Sequence, residues 1–199
     1  MPNDEPALEP EAFLRDQVAP RVARRIEELR AEVDRLHRDL ADRLTAEATV
    51  ALVLEGPDGG TWYMNLREGQ MVVDREPAEP PLLSVHQTRA DWEALARAAG
   101  GATPMGADLT ASRIERLREI RGTLEFRLAT GDNERRVEVR LGPDGGAGSR
   151  CTLSMKAEDA LRLQNGELRP EAAFIQGLVK LQGDVTLAMQ LGAVLFARR

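Results

Sequence analysis

Residues 185–196, VTLAMQLGAVLF, hold only two polar side chains, Thr186 and Gln190. At helical spacing Leu187, Leu191, Val194 and Leu195 fall on one side, and Val185, Met189 and Phe196 on the other. A helix that is apolar nearly all round has to be covered. At about 18 Å it is too short to cross a bilayer. The chain around it must therefore present a broad apolar surface. The expectation is that the Leu187–Leu191 side closes an apolar space, while the Met189–Phe196 side meets another part of the chain or a second subunit. Arg198 and Arg199 then suit the helix C-terminus electrostatically and could touch anionic headgroups in a transient contact with a membrane surface.

Strands with a period of two supply such a surface. GTLEFRLAT (122–130) places Leu124, Phe126 and Leu128 on one face, and RRVEVRL (135–141) does the same with Val137, Val139 and Leu141. CTLSMK (151–156) alternates Cys151, Leu153 and Met155. Earlier in the chain, ATVALVLE (48–55), TWYMNL (61–66), QMVVD (70–74) and PLLSVHQT (81–88, with Leu83 and Val85 inward) read as four more strands. Helical patterns lie between and after them. RADWEALARAAG stops at Gly100 and Gly101, and ASRIERLREI, AEDALRLQNG and PEAAFIQ follow. Pro170 suits a first helical turn, Gly177 a left-handed exit, and Asp184 an N-cap for the last helix. The segment 82–100 matches 151–166 as a strand followed by a helix, which reads as a weak tandem repeat. The motif GPDGG at 56–60 and 142–146 is shared turn chemistry. The fold class is α+β, a mixed β-sheet covered by helices in two related units, preceded by a long helix.

That helix is read over residues 12–45, after an acidic, Pro-rich tail (1–11) expected to be disordered. Pro20 is tolerable only in a first turn, so the regular helix is expected to start near residue 19. Val22, Ile26, Leu29, Val33, Leu36 and Leu40 are spaced 4, 3, 4, 3, 4, as in a coiled-coil seam. Packing on the chain's own domain is the first reading. A homodimer or partner protein held through residues 19–45 is the second. In a parallel pair Arg25 would face Arg30, which repels, and Glu32 would face His37, which attracts only when the imidazole is protonated.

Charge and reactive groups narrow the function. With 27 Lys and Arg against 33 Asp and Glu, the net charge is −6, and no basic face for nucleic acid is expected. One Cys cannot form an internal disulfide, and the N-terminus is the opposite of a signal peptide, so a cytoplasmic location is expected. His37 and His86 read as surface residues, and Cys151 as an inert core thiol. Acid pairs such as Glu27–Glu28 and Glu158–Asp159 read as solvated faces. Neither zinc-ligand spacing nor a nucleophile elbow is present. The expectation is a protein that is not an enzyme, with no metal and no cofactor.

Residues 151–191 contain, in order, Leu161 and Leu163, Gly166, Leu168-Arg169-Pro170, Ala173-Phe174, Gly177, Val179 to Leu181, Gly183-Asp184, and Leu187 to Leu191. This order and spacing resembles the C-terminal signature of the sterol carrier protein 2 lipid-binding family. The likeness continues more weakly over 110–150. Residues 46–101 resemble the strands and first helix of the same family but lack its Leu-x-Pro to Gly-Asp section. The implied organisation is a tail (1–11), a helix (12–45), a degenerate sterol-carrier-like unit (46–109) and a lipid-binding unit (110–199).

The resemblance implies an apolar tunnel between sheet and helices that carries a fatty acid, acyl chain, phospholipid, sterol or isoprenoid. Its expected lining is Phe126, Leu153, Met155, Leu161, Phe174, Leu178, Leu187 and Leu191, with Gln176 as the polar residue beside it. An accessory or scaffold protein acting through the long helix, for example in isoprenoid-quinone synthesis, is the alternative, and it rests on analogy.

Overall fold

The computed structural model describes residues 9–98, 109–142 and 148–195. The tail before residue 9, the helix stop at Gly100–Gly101, most of the second GPDGG turn, Phe196, Arg198 and Arg199 lie outside the described residues. The chain divides into two compact units, 1–41 and 42–199.

The first unit is helical from Pro10: α1 (Pro10–Phe13), a π-helical turn (Leu14–Val18), and α2 (Ala19–Leu44), which continues into the second unit. Helix therefore begins well before residue 19 and takes in the end of the expected tail. The π turn accommodates Pro20, which has no N–H and whose ring would clash with the carbonyl four residues back in a regular helix. Val22, Ile26, Leu29, Val33, Leu36 and Leu40 are all exposed, by 40 to 58%. Arg25 and Arg30 are ion-paired on their own helix with Glu28 and Glu27.

Among the described residues, the second unit is built on one eight-stranded sheet: β1 (Ala48–Glu55), β2 (Gly60–Arg67), β3 (Gln70–Asp74), β4 (Leu83–Thr88), β5 (Gly122–Thr130), β6 (Asn133–Leu141), β7 (Arg150–Lys156) and β8 (Lys180–Gly183). Its order is β3-β2-β1-β4-β6-β5-β7-β8. The strands β1/β2 and β5/β6 are antiparallel hairpins, whereas β1/β4 and β5/β7 pair in parallel. A helix follows each returning strand at once: α3 (Arg89–Ala98) after β4 and α5 (Ala157–Gln164) after β7. The halves join through the antiparallel pair β4/β6, so their strands form a single sheet. The remaining helices are α4 (Ala111–Arg118), α6 (Pro170–Ile175) and α7 (Val185–Leu195). This is the expected α+β class, a mixed sheet with helices on it.

Alternation gives the sheet two unlike faces. On the helix side, Val50, Leu83, Val85, Leu124, Val139 and Leu141 are buried with Ile114 and Leu117 of α4 and Leu187, Leu191 and Val194 of α7. Helix α7 comes so close to β5 that a Cβ on Gly122 would meet Leu187 Cδ2 at 2.8 Å. Asp184 caps α7 by accepting from the Thr186 and Leu187 amides at 3.0 and 3.4 Å. The outer side of α7 stays open, with Val185 39% and Met189 68% exposed. Within the described residues, α7 is thus covered on one side only.

The opposite face of the sheet is polar. Glu125 is buried at its centre, 2.6 Å from Arg127 and 2.7 Å from Arg136, with Arg150 at 3.8 Å. Glu138 bonds Arg140 at 2.6 Å and Arg150 at 3.2 Å. Burial alone would raise both carboxyls, but hydrogen bonds and charge from these guanidiniums hold them below the usual glutamate range. Asp159 also differs from its sequence reading. It is buried and bonded to Arg162 at 3.0 Å, whereas Glu27 and Glu28 are solvated as expected.

Because the folded state lowers these two pKa values, their contribution is present above the unfolded value and is lost as pH falls through the folded one. Glu125→Gln should cost about 2 kcal/mol at neutral pH. The deficit should shrink between about pH 5 and pH 2, as read from urea midpoints across that range.

Candidate apolar ligand site

The strand registers line up the helix-side residues in rows across the sheet. One row, Val85, Val139, Leu124 and Cys151, is buried at 8% exposure or less under the packed helices. The next row along the strands differs. Phe126 pairs with Val137 on one side and Leu153 on the other, and Leu153 pairs with Leu181. All four are only half-buried, and Phe126, Val137 and Leu153 pack against the core without closing into it. Helix α3 lies against β1, β4 and β6, and α5 against β5 and β7. A strip of hydrocarbon thus runs under the helices, flanked by a fully packed row. A surface of this kind can hold an apolar chain without first opening the core.

The expected lining is brought together in part. Phe126 and Leu153 lie in the strip, with Met155 and Leu161 also half-buried. Leu187 and Leu191 belong to the packed core with Leu124 and Ile114, so the α7 side expected to close a tunnel is filled by side chains instead. Leu178 is half-buried beside α6, while Phe174 is 60% exposed and Gln176 is exposed. Phe174 and Gln176 therefore do not converge with the rest. Helix α6 has six residues and buries Ala173 at its centre, and the following position is turned about 100° away.

A polar residue that the sequence reading missed lies at the end of the strip. Leu83 and Val85 were read as inward, and the same alternation carries Gln87 to the helix side. There it is 9% exposed, beside Leu54 in the parallel ladder. Its Oε1 has no hydrogen-bond partner among the described residues. Extending the inward pattern by one more step would have found it.

The other reactive groups show no ligand-binding geometry. His86 is half-buried on the polar face, with Nε2 2.9 Å from Ser84 Oγ, and burial lowers its pKa, assisted by the Arg140 charge. Cys151 is fully buried, and that burial pushes its thiol pKa up, against thiolate formation. Among the described residues, no group of three His, Cys, Asp or Glu side chains is arranged to hold a metal, and no helix is long and apolar enough to cross a membrane. Two open clefts of about 370 Å³ are also present, one beside Pro80, Pro81 and Arg118 and one lined by Arg89, Trp92, Glu93, Ala96 and Arg97 of α3.

The site is thus an α+β sheet with one face under helices and an apolar strip left partly open there. Residues 107–196 match the SCP-2 sterol transfer family. Sterol carrier protein 2 of Rattus norvegicus is 33% identical over 86 residues, which is 39% of this chain and 16% of that protein. Sterol carrier protein 2 of Homo sapiens is 31% identical over 84 residues, 38% of this chain and 15% of that protein. The chain thus spans about a sixth of the length of these relatives. Among solved structures, Sterol Carrier Protein 2 Like 2 from Aedes aegypti has 22% identity and a TM-score of 0.34, covering 53% of this chain and 93% of its own. Sterol carrier protein domain 2 of Helicoverpa armigera has 28% identity and a TM-score of 0.33, covering 41% and 72%.

Burial separates the core residues from the exposed ones energetically. Leu187→Ala should cost about 3 kcal/mol in urea unfolding, whereas Phe174→Ala should stay within about 0.5 kcal/mol of the parent.

Proposed function

We propose that this protein binds a lipid reversibly and carries it, without covalent chemistry, on the helix-covered apolar face of its sheet. The observation that carries this reading is that the half-buried strip of Val137, Phe126, Leu153 and Leu181 falls inside the SCP-2-like segment. Fatty acids, acyl chains, sterols and isoprenoids share the hydrocarbon such a strip would shield from water. Mass spectrometry of an organic extract of the purified protein should find a recurring lipid, and a fluorescent fatty acid should be taken up. Phe126→Asp should abolish uptake while Phe174→Asp leaves it intact. A protein that yields no lipid and takes up no probe overturns the reading.

The exposed seam on α2 supports a second role, joining two copies of the chain. With Val22 at a d position, the a positions are Ile26, Val33 and Leu40, and the d positions are Val22, Leu29 and Leu36. The β-branched Ile26 and Val33 at a with Leu29 and Leu36 at d favour a parallel two-stranded coil. The Arg25–Arg30 repulsion in that arrangement opposes it, but exposed pairs are worth only a few tenths of a kcal/mol, and each Arg already has a Glu partner on its own helix. Sedimentation should give twice the chain mass, reduced to one chain by Leu29→Asp with Leu36→Asp. Val22→Cys alone should form an intermolecular disulfide, since Cys151 is buried and does not compete. A monomeric parent contradicts this role. Crosslinking only when Val22→Cys is mixed with Leu40→Cys contradicts the parallel orientation.

A further inference from the structure

We propose that Gln87 anchors the head of a single-chain lipid whose head group donates a hydrogen bond, such as a hydroxyl, with its hydrocarbon lying across β6, β5, β7 and β8. This rests on the lipid-carrying role and deepens it by naming the ligand's chemistry. A buried amide oxygen with no partner is costly, because it has lost water and gained nothing in return. Gln87 Oε1 is such an atom, buried on the helix-covered side of the sheet beside Leu54. Its strand neighbour His86 pairs with Glu138, so the next helix-side residue across the ladder is Val137, from which the strip continues to Phe126, Leu153 and Leu181.

The dimensions fit one chain. From β4 to β8 there are four interstrand steps of about 4.8 Å, or about 19 Å. A lipid chain in one leaflet spans about 15 Å, half the hydrocarbon core of a bilayer, which leaves room for a head at Gln87. An accepting oxygen selects a donor, and an ionised carboxylate has none to offer. On the same side of β6, Arg135 is already paired with Asp91 at 3.4 Å. Gln87 lies outside residues 107–196, so the family match does not supply this contact.

Displacement of a bound fluorescent fatty acid by hexadecanol and by hexadecyl methyl ether tests the anchor, since the two differ in the donor. The intact protein should prefer the alcohol by roughly tenfold, the factor equivalent to about 1.4 kcal/mol. Gln87→Leu should erase that preference, leave ether affinity unchanged, and unfold no lower than the parent. Gln87→Met serves the same purpose should the leucine variant fail to fold, and Gln176→Leu should keep the preference. Equal affinities in the parent, or a preference that survives in the folded Gln87 variant, overturns the anchor alone. A parent that binds neither compound overturns the lipid-carrying role and the anchor with it.

Discussion

Eight strands hydrogen-bonded edge to edge satisfy their backbones laterally, but they leave two broad faces whose solvent must be settled separately. The side-chain period of two lets one face collect Val, Leu and Phe while the other collects Arg, Glu and Thr. Keeping water off the first face is the constraint on which the rest of the unit depends. Helices α4 and α7 meet it completely over one row, where Ile114, Leu117, Leu187 and Leu191 pack onto Leu124 and Val139. Along the neighbouring row the cover is incomplete, and that shortfall leaves Phe126, Val137, Leu153 and Leu181 half-buried where they would otherwise be core. The polar face needs no cover, because Glu125 and Glu138 are each shared among guanidiniums.

Much of this was legible from residue order, and the reasons are local. Alternation in 122–130, 135–141 and 151–156 named the inward residues correctly, since a strand with one buried face has only two ways to orient its side chains. Cys151 in such a run had to be a core thiol, and it is fully buried. Gly183-Asp184 before an apolar run had to start a helix, and Asp184 caps it. The SCP-2 resemblance read from the order Leu-x-Pro, Ala-Phe, Gly and Gly-Asp agrees with the family match over 107–196.

What escaped the sequence were properties set by packing between elements. Phe174 looks like lining because it is large and apolar, yet in the six-residue α6 the adjacent Ala173 takes the inward position. Leu187 and Leu191 were rightly placed inward, but whether an inward residue lines a space or fills it depends on what comes opposite, and here α4 does. Asp159 looked solvated beside Glu158, and only the packing of α5 on the sheet buries it. Pro20 read as a helix start, because nothing in the sequence announces a π turn able to accommodate it.

A photoactivatable palmitoyl analogue, equilibrated with the protein, irradiated and mapped by peptide mass spectrometry, tests most directly that lipid occupies the helix-covered face. The account places the label on peptides from β5, β6 and β7, at or next to Phe126, Val137 and Leu153, with competition by unlabelled lipid. Label confined to the polar face or to α2, or undiminished by competitor, would contradict it.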